Sequence, residues 1–140
     1  MYKGRVLLLK RRNIPLILNP GIWSFLSGGR KKGERYLRTA YREIREETSL
    51  QKKSLKLLHH STVTVVEPRL KQKWPNHLYL FKSDTNKVIL DMENSSYRWA
   101  TISELRNHTG YTNVFNDEKT ILNAIGRLMH GPSKPKKEDK

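Results

Sequence analysis

A chain of 140 residues is long enough for one domain with its own core. With 36% hydrophobic and 9% aromatic residues it is not compositionally disordered. No apolar run approaches the ~20 residues of a membrane helix, and the absence of cysteine excludes disulfides, thiolate metal sites and a thiol nucleophile. The net charge of +15 suits a polyanionic partner such as a nucleotide, a dinucleotide polyphosphate or an RNA end, and equally a plain solubility charge.

The charge is uneven. Residues 1–33 carry eight Lys or Arg and no acid, residues 34–50 carry four of each sign, and residues 51–82 carry seven basic residues against Glu67 alone. The N-terminus has a short apolar patch without a small-residue cleavage site, so a cytoplasmic protein with no membrane segment is expected.

In chain order, residues 6–9 (Val-Leu-Leu-Leu) read as a short buried strand, followed by Arg11 and Arg12. Residues 14–18 form a second apolar run, and Asn19-Pro20-Gly21 is a turn signal. Residues 22–26 look like a strand entering Ser27-Gly28-Gly29, where glycines let a backbone approach a ligand closely. A helix is predicted from Glu34 to about Glu47, with Leu37, Ala40, Tyr41 and Ile44 as its apolar stripe. Residues 54–58 and 61–67 read as two strands, Arg69 to Lys73 as a basic loop, Trp74-Pro75-Asn76 as a turn, and residues 77–82 as a further strand.

A polar connection follows at residues 83–87, then Val88-Ile89-Leu90 as a short strand or irregular segment. Residues 97–100 read as a last strand and residues 102–107 as a short helix. Residues 116–129 are predicted to be a terminal helix capped by Asn116, and residues 131–140 a basic, disordered tail. The order predicts a single α/β (α+β) domain over residues 1–130, with a mixed β-sheet layered between helices as an α/β/α sandwich.

The chemistry concentrates at residues 28–50. Glu43, Glu46 and Glu47 fall at i, i+3 and i+4, on one face of the predicted helix. Like charges at that spacing repel, and the dipole of a helix end disfavours them. A divalent cation is the counter-charge that such a cluster suits, with glycine carbonyls as further hard oxygen ligands.

The spacing resembles the Nudix box: Gly28, five residues, Glu34, seven residues, Arg42-Glu43-Ile44, Arg45, Glu46-Glu47, Thr48, then Ser49 in place of the usual glycine and Leu50. Trp23 to Gly29 looks like the family's strand ending in Pro-Gly-Gly, with Ser27 where proline is usual. Glu93, residues 97–100 and Ser103-Glu104-Leu105 look like the family's later acid, strand and short helix. Only Met1 to Lys3 precede the turn at Gly4, so either the sheet lacks the family's full first strand or the sequence starts late within it.

The resemblance implies Mg²⁺-dependent hydrolysis, with Mn²⁺ as an alternative, of a nucleoside diphosphate linked to another moiety. Nucleoside triphosphates or dinucleotide polyphosphates are favoured as substrates. An RNA 5′-end pyrophosphohydrolase and a non-catalytic nucleotide- or RNA-binding module are the alternatives. It further implies Glu46 and Glu47 as metal ligands, helped by Glu43, Glu34 and a carbonyl of Gly28 or Gly29. Glu43 is then the general base, with Glu93 the candidate outside the box, and Arg42 orients carboxylates.

From the residues themselves, Arg11, Arg12 and Trp74 are candidates for substrate binding, Trp74 by stacking on a base. His59 and His60 read as solvated histidines. Ser49 is expected to cost about 1–2 kcal/mol if its φ is positive. The oligomeric state is open.

Overall fold

Four consecutive apolar residues make strand β1 (Val6–Arg11) fit only where both its faces are covered. The computed structural model, which describes residues 1–12, 21, 23–67, 71–106 and 126–127, places it so. Val6, Leu7, Leu8 and Leu9 are all buried. β1 is the middle strand of an antiparallel three-stranded sheet, between β2 (Trp23–Ser24) and β5 (Asn94–Ala100). One face of this sheet packs Val6, Leu8 and Ala100 against Ile102 and Leu105 of a short helix α2 (Ile102–Arg106), with Trp23 and Phe25 at the margin.

The second sheet is a long antiparallel hairpin of β3 (Leu55–Glu67) and β4 (Gln72–Ser83). Helix α1 (Tyr36–Thr48) lies against it, burying Ile44 with Leu50 and Phe81, and half-burying Ala40 and Tyr41. A 3₁₀ turn at Lys52–Ser54 links the end of α1 to β3. The result is the expected α+β architecture of sheets covered by helices. Among the described residues every strand pair is antiparallel. Met1 adds to the open end of β4: its ammonium donates to the Phe81 carbonyl (2.7 Å) and its carbonyl accepts from the Ser83 N–H (2.8 Å). No described helix is long and apolar enough to cross a membrane.

The structure corrects several expectations. Residues 54–58 and 61–67 are one strand, because a bulge between Leu57 and His59 absorbs the irregularity. Trp74-Pro75-Asn76 is not a turn. β4 runs through it with Pro75 opposite Thr64, and among the described residues each strand of this hairpin has one partner strand, where proline is tolerated better than in a central strand. The strand expected over residues 22–26 shortens to Trp23–Ser24. α1 begins at Tyr36 rather than Glu34, with Arg35 still extended.

Leu37 is 36% exposed, so the buried side of α1 is set instead by Thr39, Ile44, Glu47 and Thr48. Residues 88–90 take the irregular alternative. The apolar run at residues 14–18 and the tail at 131–140 lie outside the described residues. Of the terminal helix only residues 126–127 are described, and they are helical.

Candidate active site

The site is built on α1 and on the turn that enters β5. At its centre is Arg42, half-buried and donating in five directions. Its Nε and Nη2 grip both carboxylate oxygens of Glu34 (2.8 and 3.0 Å), and its Nη1 reaches Glu43 (2.8 Å) and Glu46 (3.1 Å). The same Nη2 also meets the Gly29 carbonyl at 2.9 Å. A planar, permanently charged fork is suited to such a junction, as a lysine is not.

Glu34 is filled from all sides, since the Thr39 hydroxyl (2.7 Å) and the Lys31 N–H (3.2 Å) also donate to it. These partners, Arg42 first, hold its carboxyl down at about 2, and the guanidinium is correspondingly raised. Glu34 therefore anchors the start of the helix and fixes the glycine loop through Arg42. Gly28 packs directly against the Glu43 side chain, where an added Cβ would collide. This close approach is one that only glycine allows.

Glu47 is the unusual group. It is 6% exposed, and its Oε2 is buried without a hydrogen-bond partner among the described residues. Burial first, and then the charges of Glu43, Asp91 and Glu93, push its carboxyl up to about 8. One carboxylate oxygen from each of Glu47, Asp91 and Glu93 lies within 4.8 Å of the others. A buried carboxylate with one orphaned oxygen, grouped with two more acids, fits a hard divalent cation, which replaces both the missing partner and the missing solvation. Glu46 stands at the rim, with its side chain 47% exposed.

Two pieces of backbone bring Asp91 and Glu93 to Glu47. The β1–β5 register shifts between Lys10 and Arg11, where Arg11 pairs with Asn94 and frees the residues before it to turn. That turn is held by Arg12, whose N–H donates to the Glu93 carbonyl (2.8 Å) and whose Nε donates to the Met92 carbonyl (2.9 Å). Buried Asn94 donates to the Asp91 carboxylate (2.8 Å). From the other side, the Ile89 N–H donates to the Thr48 carbonyl (3.0 Å), clipping the segment to the end of α1.

Ser49, just beyond that end, has φ 61° and ψ 10°, the left-handed conformation for which glycine is the usual residue. Its hydroxyl lies 3.5 Å from the Ile89 carbonyl.

Of the residues singled out in the sequence, Gly28, Gly29, Glu34, Arg42, Glu43 and Glu46 thus meet in one network around Arg42. Glu47 and Glu93 meet across the neighbouring acid cluster. Arg11 lies beside Glu93 at 3.9 Å, while the exposed Arg12 side chain is engaged with the Met92 carbonyl of the turn. Trp74 sits in β4 and its side chain lies outside the described residues.

Asp91 is absent from the residues that the sequence singles out. The one signal for it is its i,i+2 spacing from Glu93, which puts two acids on one side of an extended segment.

Comparison with known proteins agrees with this architecture. The family described as the NUDIX domain matches residues 2–121. Among solved structures, the chain superposes on the Ap4A hydrolase of C. elegans in a binary complex with a TM-score of 0.67 at 20% identity. That match covers 91% of this chain and 87% of the other. A Nudix hydrolase of M. smegmatis, RenU, gives 0.72 at 15% identity over 92% and 79% of the two chains. A MutT NUDIX hydrolase of Burkholderia pseudomallei gives 0.64 at 21% identity over 86% and 88%. A search of curated protein sequences returned no match.

Proposed function

The chain belongs to the Nudix family, and on that footing we propose that it is a pyrophosphohydrolase that cleaves a pyrophosphate bond in a nucleoside triphosphate or dinucleotide polyphosphate, releasing a nucleoside monophosphate. The observation that carries this reading is the buried Glu47 carboxylate, with one oxygen unpartnered among the described residues, grouped with Asp91 and Glu93 beside the Arg42-clamped carboxylates of Glu43 and Glu46. Glu47 and Asp91 would form the inner pair of a metal set completed by Glu43, Glu46 and a carbonyl of Gly28 or Gly29, with Mg²⁺ as the ion. A bound Mg²⁺ supplies charge neutralisation for the pyrophosphate and makes water a better nucleophile.

The chain's own groups divide the remaining work. Arg42 fixes the rotamers of Glu43 and Glu46 and the position of the Gly29 carbonyl, so the ligand set is in place before substrate arrives. Between the two candidate bases, Glu43 is committed to Arg42 and pressed against Gly28, whereas the Glu93 side chain is 58% exposed at the open side of the cluster. We therefore assign the proton of the attacking water to Glu93, with Arg11 beside it to steady the carboxylate and meet substrate phosphate.

The water attacks phosphorus, the bridging oxygen leaves with the phosphorylated product, and the proton rests on the Glu93 carboxylate. The +15 charge draws polyanions towards this acidic patch.

The likeness to a C. elegans Ap4A hydrolase, a protein named for a dinucleotide polyphosphate, supports including that class. The direct test is product identification from a panel of nucleoside triphosphates, ADP-ribose, dinucleotide polyphosphates, NADH and 5′-triphosphate RNA, with Mg²⁺ or Mn²⁺. Metal-dependent release of a nucleoside monophosphate from the first or third class is the expected result. No product from any of them would overturn the proposal.

A further inference from the structure

The acid cluster accounts for the phosphates of a substrate but not for its base. A second feature of α1 and the β3–β4 hairpin does. His77, Tyr79 and Phe81 alternate along β4 and so stand on one face, with His60 of β3 directly paired to Tyr79. The rings form a ladder running outward from the core. Tyr41 meets Phe81 (4.9 Å between centroids), Tyr79 stacks on His60 (4.6 Å, 9°), His60 faces His77 (5.9 Å, 11°), and His77 stacks on Tyr36 of α1 (3.8 Å, 25°).

The ladder ends at Tyr36. The Arg30 guanidinium carbon lies over that ring at 4.6 Å. An imidazole and a guanidinium this near one ring centre must occupy opposite faces. Tyr36 is nevertheless 40% exposed and Arg30 is a surface residue. Its one described hydrogen bond, to the Glu34 carbonyl, is long at 3.4 Å.

Placement links this end of the ladder to the acids. Tyr36, Glu43 and Glu47 are at i, i+7 and i+11 of α1, on one side of the helix, with the small Ala40 between them. Tyr36 is about 10 Å along the axis from Glu43. Arg30 directly follows Gly29, whose carbonyl Arg42 holds.

We propose that Tyr36, backed by His77, is the platform on which the nucleobase of a nucleoside polyphosphate stacks, with the Arg30 guanidinium lifting to close over it. This rests on the nucleotide-hydrolase reading above and adds where the base is held. Stacking on a ring face tolerates any base, so the site discriminates a nucleotide from inorganic polyphosphate rather than one base from another. Arg30 contributes both a cation over the base and a charge near the phosphates.

The test is calorimetric titration with a methylene-bridged nucleoside triphosphate, which requires no turnover, and with inorganic tripolyphosphate, which has no base. Tyr36→Ala is expected to weaken the nucleotide analogue about tenfold. Tyr36→Phe should bind it within about twofold of the wild type, and tripolyphosphate should bind Tyr36→Ala about as it binds the wild type. Undiminished analogue binding by Tyr36→Ala overturns the proposal. So does an equal loss for tripolyphosphate, which would mark Tyr36 as a purely structural support.

A short RNA with a 5′-triphosphate, offered in competition, separates the two sources of such a base. Tighter binding than the free analogue assigns an RNA end, weaker binding a free nucleotide, and in both cases the Tyr36→Ala loss must carry over. If the wild type binds the analogue but hydrolyses no nucleotide, the hydrolase reading fails while the stacking site stands.

Discussion

Glu47 ties the chemistry to the energetics of the fold. Its carboxyl is raised from 4.5 to about 8 by burial and neighbouring acids. Between those pH values the metal-free folded chain keeps a proton that the unfolded chain has lost, so stability falls as pH rises from about 4.5 to about 8. The slope is at most ~1.4 kcal/mol per pH unit. Glu47→Gln should flatten that slope in thermal melts made with chelator, and divalent metal should stabilise the wild type more at pH 8 than at pH 6.

Ser49 is a second case. With φ at 61° it holds a conformation that disfavours a side chain, so Ser49→Gly should raise stability by about 1 kcal/mol in denaturant unfolding. A loss would mean that the long Ser49 to Ile89 contact matters more than the backbone strain. Both residues were legible in the sequence, because helical spacing and the box fix their positions. Asp91 was not. Its place beside Glu47 depends on pairing between β1 and β5, more than eighty residues apart, and on a register shift that no local pattern announces.

At the scale of elements, the site depends on two clamps. Arg42 binds the start of α1 to the glycine loop through Glu34, and Arg42→Lys cannot reproduce its bidentate grip. The turn before β5 is held by Asn94 and Arg12. Asn94→Ala would free the Asp91 carboxylate and leave buried polar groups unpaired. It is expected to weaken divalent-metal binding ~10-fold in calorimetry while the chain still folds. Unaltered metal affinity in that variant would remove Asp91 from the ligand set.

The elements themselves were partly readable. β1, α1 and the end of β5 follow from apolar patterning, because burial decides them. At Trp74-Pro75-Asn76 proline is a local turn signal, and only the pairing with β3 shows that the chain runs on as a strand. Periodicity alone puts Leu37 in the core. The hairpin, however, covers the other half of α1 more fully.

Across the whole molecule, an acidic centre sits in a strongly basic chain. On the proposed function the acids would hold the metal and the basic surround would concentrate the polyanion, so KM for a polyphosphate substrate should rise with ionic strength while kcat changes little. A KM independent of salt would show that the basic residues serve solubility alone. The family and its acidic helix were evident from the sequence; the aromatic ladder ending at Tyr36 and Arg30 was not, since its rungs come from three separated segments.

Glu47 stands at the core of the proposed metal-dependent hydrolytic site, and one comparison probes that role. Mg²⁺-dependent release of nucleoside monophosphate is measured for the wild type and for Glu47→Gln, with thermal melts confirming that both are folded. A folded variant at least ~100-fold slower is the expected result. Unchanged turnover in the folded variant would remove Glu47 from the chemistry.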